Sequence, residues 1–152
     1  MARKRKKLSN IILYVLIAIL GLGLIGVSAK LNDTISTDTV SATSFVKGTI
    51  GDDGLLSTDG ECYSAVSPFV NVDGLKIELK EDDIKYKVYY FTEERTLIES
   101  SAFLTEDFDA SSNSIPSNAK YVRVAVYLVD NSPMTILMAS YYGSHLTITY
   151  NK

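Results

Sequence analysis

The chain has 152 residues, 46% hydrophobic and 22% charged, which limits it to one ordinary folded domain and excludes wholesale disorder. Five of its fifteen Lys and Arg residues fall within the first seven positions, and the remaining ten face eighteen acidic residues, so everything after Lys7 carries a formal −8. A nucleic-acid reader needs positive charge on its folded part, so nucleic acid is not an expected partner. A single cysteine, Cys62, excludes an intrachain disulfide framework and a cysteine zinc cluster.

Leu8 to Ala29 is a run of twenty-two residues without a charge, almost purely aliphatic from Ile11 to Val27. At 1.5 Å per residue a helix of that length spans roughly 30 Å, the thickness of a bilayer's hydrocarbon layer. The expectation is one N-terminal transmembrane or signal helix within residues 1–29, with the membrane as partner through residues 8–29. Val27-Ser28-Ala29 also offers small residues to a signal peptidase, so two readings stay open. The longer apolar run favours a retained anchor, and cleavage after Ala29 would instead give a secreted protein. In both, the basic cluster Arg3 to Lys7 stays in the cytoplasm and the chain after Lys30 is exported, which places a retained form in the cell membrane as a single-pass protein. Residues 30–44 are rich in Ser, Thr and Asp without an apolar period and read as a stalk.

From residue 45 to 152 the pattern is that of strands. Phe45 to Ile50 and Cys62 to Val72 are weaker candidates, split by the Gly-Asp-Asp-Gly turn at 51–54. Leu75, Ile77 and Leu79 alternate with Lys76, Glu78 and Lys80, and Ile84, Tyr86, Val88 and Tyr90 form the expected buried set of the next strand. Glu81-Asp82-Asp83 between them is too short for a crossover, which predicts an antiparallel hairpin. The lysines and Glu78 on these two strands would then blunt exposed sheet edges. Val122, Val124, Val126 and Leu128 face inward along the strongest strand, turning Tyr121, Arg123 and Tyr127 outward. After Asp130-Asn-Ser-Pro133 a further strand is expected from Ile136 to Tyr142, and Leu146, Ile148 and Tyr150 alternate inward in the last. Short strands with turns between them, and no helical period, predict an all-β, antiparallel β-sandwich over residues 45–152.

The pieces Gly54-Leu-Leu-Ser-Thr-Asp-Gly-Glu61, Tyr63 to Val70, Tyr86 to Ile98 and Ile115-Pro-Ser-Asn-Ala-Lys-Tyr-Val-Arg-Val124 together resemble a family of jelly-roll, galactose-binding-like domains. Such domains are found on phage tail fibres, bacterial surface proteins and carbohydrate-active enzymes. The resemblance covers about eighty residues, Gly54 to Thr135, and implies the jelly-roll form of the sandwich more strongly than an activity. It departs from the sugar-binding members in having no Trp.

Tyr89, Tyr121, Arg123 and Tyr127 are the candidate ligand-binding residues. Aromatic faces stack on sugar rings, and a guanidinium offers a planar fork of donors; Tyr is also simply a good strand former. Asp52, Asp53, Asp59 and Glu61 are candidate oxygen ligands for a structural calcium, which the resemblance places near the first strands. Their spacing departs from the twelve-residue calcium loop, however, and Asp-Asp-Gly is ordinary turn chemistry. No other cofactor is expected. His145 is expected on the outward side of its strand with no acid beside it, and the chain lacks a Gly-x-Ser-x-Gly elbow and a phosphate-cradling glycine loop. The sequence therefore points away from an enzyme. It predicts a tethered or secreted binding module for glycan or another surface ligand, with an adhesion role; the alternative is a structural accessory packed on a partner protein at the envelope or in a phage assembly. Cys62 is left either buried or available to a second chain.

Overall fold

A computed structural model describes residues 36–152; the apolar run at 8–29 and the first residues of the expected stalk lie outside the described residues. Ser36–Lys152 form a compact unit of eleven strands and one α-helix. The strands are β1 (Thr37–Thr39), β2 (Val46–Ile50), β3 (Leu56–Ser57), β4 (Ser64–Val66), β5 (Val70–Asn71), β6 (Lys76–Leu79), β7 (Ile84–Phe91), β8 (Leu97–Ser100), β9 (Phe108–Asp109), β10 (Tyr121–Leu128) and β11 (Leu146–Asn151). The helix, α1, is Ile136–Gly143. No helix among the described residues is long and apolar enough to cross a membrane.

Every strand pairing is antiparallel. The smaller sheet runs β1-β11-β6-β9, and the larger β3-β2-β4-β10-β7-β8 with β5 also on β10. Both sheets contribute to one core, Ile77 and Ile148 from the smaller and Tyr86, Val88, Val122, Val124 and Val126 from the larger, all essentially without exposure. The arrangement is compatible with a β-sandwich. The expected inward sets of β7, β10 and β11 are buried as alternation requires, apart from Tyr150, which is only half-buried.

Four expectations change. Part of the segment expected as a stalk belongs to the fold: Thr37–Thr39 pair with Thr149–Asn151 of β11 and Ala42–Ser44 form a 3₁₀ turn beneath α1. Their polar side chains gave no apolar period, yet the backbone completes a sheet edge. Secondly, β6 and β7 are not a hairpin. β6 lies between β11 and β9, while β7 lies between β10 and β8, so residues 80–83 carry the chain from one sheet to the other. A short polar link permits either outcome; the eight-pair ladder offered by β10 decides it. It follows, thirdly, that the charges of β6 and β7 do not guard edges. The edges are β1, β9, β3 and β8, each no longer than four residues, and brevity protects them.

Finally, Ile136 to Tyr142 is helical rather than extended. The Thr135 hydroxyl accepts the amide of Met138 as an N-cap, and Leu, Met and Ala are good helix formers. A seven-residue apolar run does not separate strand from helix by periodicity. Ala139 and Gly143, four apart, form the buried side, and a Cβ on Gly143 would lie 2.7 Å from the Phe45 ring. Gly143→Ala should therefore force Phe45 out of place and lower stability by about 1–3 kcal/mol, read by urea denaturation.

Candidate functional site

The larger sheet has a second, outer face. Tyr121↔Phe91, Arg123↔Tyr89, Ala125↔Lys87 and Tyr127↔Lys85 are cross-strand pairs of β10 and β7, and alternation places all eight side chains on the side away from the shared core. A smaller apolar cluster of Ile50, Val66, Tyr89, Phe91 and Ala125 covers part of this face. The β2–β3 connection folds over it. Gly54 takes φ +79 there, and a Cβ would meet Leu97 at 2.6 Å and Phe91 at 3.1 Å, so the close approach depends on glycine.

The four residues expected to contact a ligand thus share one face. The Tyr89 and Tyr127 hydroxyls are 3.1 Å apart. Tyr89 is nearly buried, whereas Tyr121, Arg123 and Tyr127 are half-buried, so the stripe is less open than outward alternation alone suggests. Burial pushes the Tyr89 phenol well above its ordinary range, with the Tyr127 hydrogen bond and the charge of Asp52 adding to it. Arg123 donates its Nε to the Ser67 carbonyl at 2.9 Å, and partial burial lowers its pKa. Ser67 is itself buried, with its hydroxyl donating to the Pro68 carbonyl and accepting the Val124 amide.

Several contributors were not anticipated. Phe69 lies edge-to-face on Phe91 at 4.9 Å and on Tyr121 at 6.4 Å, and the guanidiniums of Arg123 and Arg95 each stand 4.9 Å from its ring centroid. Phe103, an exposed ring, lies edge-to-face on Tyr127 at 5.0 Å, with Lys85 and Lys87 each 4.6 Å from its centroid. Each cation–ring contact contributes about 0.5–1 kcal/mol where exposed. Phe69, Arg95 and Phe103 all lie outside the strands, and no sequence period marked them. Only the alternation of Lys85 and Lys87 with Tyr86 and Val88 placed these lysines on this side.

The candidate calcium ligands are not brought together. Asp52, Asp53, Asp59 and Glu61 are all exposed. Asp53 accepts the Leu55 amide as a turn residue, Glu61 accepts the Tyr63 hydroxyl, and Asp52 acts electrostatically on Tyr89. Among the described residues no three His, Cys, Asp or Glu side chains converge to hold a metal. Cys62 is buried, its sulfur 3.7 Å from the Asp59 carbonyl oxygen, which turns the thiol away from a second chain.

His145 differs from expectation too. Its side chain is only 12% exposed, Nδ1 lies 3.0 Å from Asp83 Oδ1, and Tyr141 and Tyr142 pack edge-on against the ring. The acid comes from the connection before β7, far away in sequence. It adjoins a hollow of about 450 Å³ lined by Asp82, Asp83, Leu128, Val129, Asp130 and Tyr142. Chemically this corner is acidic, and it borders the Lys85 end of the outer face through Val129 and Asp130. Compared with family models, curated proteins and solved structures, the chain matches none.

Tyr86 and Tyr89 are both held protonated by burial. A raised folded-state pKa contributes stability that is complete below the unfolded value near 10 and is lost as pH rises beyond it. In a spectrophotometric titration, exposed tyrosines should ionise first, with Tyr86 and Tyr89 following only as the fold gives way. Two early-ionising phenols at these positions would contradict the packing.

Proposed function

We propose that this protein is a non-enzymatic binding module, tethered to the membrane or secreted, that takes glycan or another cell-surface ligand on the outer face of its larger sheet. The observation that carries this reading is the convergence of Tyr89, Tyr121, Arg123 and Tyr127 with the rings of Phe69 and Phe103 on that one face. Exposed and half-buried aromatic edges give a sugar ring an apolar platform, and the guanidinium adds fixed donors for its hydroxyls or acids. The all-antiparallel fold agrees with a jelly-roll of the galactose-binding-like kind, with Tyr and Phe in place of the missing Trp. In this reading the apolar run Leu8–Ala29 directs the chain to the membrane and leaves the module outside, in an adhesion role.

A second reading, a structural accessory that packs on a partner protein, has its own observation. Ile136, Leu137 and Tyr141 of α1 are 76%, 87% and 60% exposed, more apolar surface than so short a helix needs to show water. The two surfaces separate by mutation. On a glycan array the full-length chain in detergent should bind, and Tyr121→Ala and Tyr127→Ala should each weaken binding about tenfold, the loss of one aromatic contact of 0.5–1.5 kcal/mol plus its buried area. Leu137→Glu should leave glycan binding intact. If the array stays blank while Leu137→Glu abolishes capture of a partner, the accessory reading replaces the first.

A further inference from the structure

The charges of residues 36–152 are unevenly spread. Nine Lys and Arg stand against seventeen Asp and Glu. Lys76, Lys120 and Lys152 are paired with Asp109, Asp73 and Asp38. Lys85, Lys87, Arg95 and Arg123 are not: among the described residues no carboxylate oxygen lies within 4.0 Å of any of them. All four instead stand over aromatic rings on the outer face of the larger sheet, two on Phe103 and two on Phe69. Lys47 and Lys80 also make no ion pair among the described residues, so what sets these four apart is that they gather over rings on a single face of an acidic protein.

Arg95 and Arg123 are the only arginines among the described residues. Each is 4.9 Å from the Phe69 centroid, so their guanidinium carbons are no further apart than twice that distance. Like charges this close repel, and the repulsion is relieved by an anion received between or beside them. The backbone shows a second sign. Arg95 takes φ +63 in the turn closed by Thr92 and Thr96, a left-handed conformation that disfavours every residue with a Cβ and suits glycine. An arginine held there, its side chain also 5.9 Å from the Tyr121 centroid, is strain kept at a site rather than relaxed. One acid does act on this face: Lys85 feels the charge of Asp130 beyond ion-pair distance and donates to Asn131 Oδ1 at 2.7 Å. Glu93 and Glu94 of the same turn are exposed and unpaired with Arg95, and Asp52 acts on Tyr89.

From these observations we propose that the outer face is selective for anionic sugar polymers, those carrying carboxylate or sulfate. Arg95 and Arg123 receive the acid group, Lys85 and Lys87 extend the positive track, the Phe69 and Phe103 rings seat these cations, and the half-buried Tyr121 and Tyr127 give the sugar its apolar contact. Between Tyr121 and Tyr127 the strand covers about 20 Å, enough for several sugar rings in a row. The proposal rests on the glycan-binding reading and narrows it to a ligand class. Planar fork-shaped donors suit carboxylate and sulfate, which is the reason for arginine rather than lysine at the centre.

The test uses the full-length chain in detergent with four immobilised probes: polygalacturonate, dextran sulfate, neutral dextran and oligo-dT. At least one anionic sugar polymer should bind at least about tenfold more tightly than neutral dextran. That binding should fall steeply as ionic strength rises from about 0.01 M to about 1 M and the Debye length shrinks from about 30 Å to about 3 Å. Which of the two binds distinguishes carboxylate from sulfate. Arg95→Gly is the decisive variant, because glycine adopts the same backbone freely: its melting temperature should hold or rise while affinity for the anionic polymer falls about tenfold. Arg123→Lys keeps a charge but loses the fork, and should weaken binding as well. Equal binding of neutral dextran, or unchanged affinity in Arg95→Gly, overturns the anionic selectivity and leaves glycan binding standing. Tighter binding of oligo-dT than of either anionic sugar overturns it in favour of a polyanion site blind to sugar. No binding to any probe by a chain shown folded by circular dichroism overturns both readings together.

Discussion

The ladder between β7 and β10 is the constraint on which the rest of the fold depends. Eight consecutive pairs, from Tyr121↔Phe91 to Leu128↔Ile84, join two strands of equal length at the centre of the larger sheet. Because side chains alternate, one register builds two surfaces at once. Val88, Val122, Val124 and Val126 close the core against Ile77 and Ile148 of the smaller sheet, while Tyr89, Tyr121, Arg123 and Tyr127 are presented on the other side. A slip of one residue would exchange the two sets and bury a guanidinium in the core, so the hydrophobic effect that fixes the register also fixes the geometry of the outer face.

That outer face is stiffened from several directions. The β2–β3 connection reaches across it through Gly54, the link between β4 and β5 brings Phe69 onto Phe91, and the Ser67 carbonyl accepts from Arg123. Ser67 in turn bonds the Val124 amide on the same strand as Arg123. Half-buried side chains with these partners have few alternative rotamers, and a surface already ordered loses less entropy when a ligand arrives. By contrast α1 seats Ala139 and Gly143 with Met138 and Tyr142 partly buried against the core, and leaves Ile136, Leu137 and Tyr141 outside, a different kind of surface suited to a different kind of contact.

Charge is sorted by the same architecture. Carboxylates gather in the connections, at Asp52 and Asp53, at Glu81 to Asp83 and at Glu93 and Glu94, where water solvates them. Three of the lysines offset nearby aspartates at the surface, as in Lys76 with Asp109, whose carboxyl is held at about 2 by Ser111 and the lysine. The cations of the central strands make no ion pair within 4.0 Å among the described residues and lie over rings, with Asp130 acting on Lys85 from the next connection. Net acidity and a local positive face thus coexist, and the composition alone describes only the first.

Alternation in 122–128, 84–90 and 146–150 was enough to state the strands, their buried sides and the grouping of Tyr121, Arg123 and Tyr127, because period two is local and the hydrophobic effect reads it directly. The predominantly β character of the described residues follows from the same signal. Partners were not legible: the link at 81–83 is compatible with a hairpin or a change of sheet, and only the competition among distant strands chose the latter. Ile136 to Tyr142 became a helix because Thr135 caps it and Gly143 lets it settle on Phe45, contacts a periodicity does not contain. The meeting of Arg95 with Arg123 on Phe69, and of Asp83 with His145, joins residues 28 and 62 positions apart. Such encounters belong to tertiary structure alone, since they arise only when separate loops are packed against the same sheet.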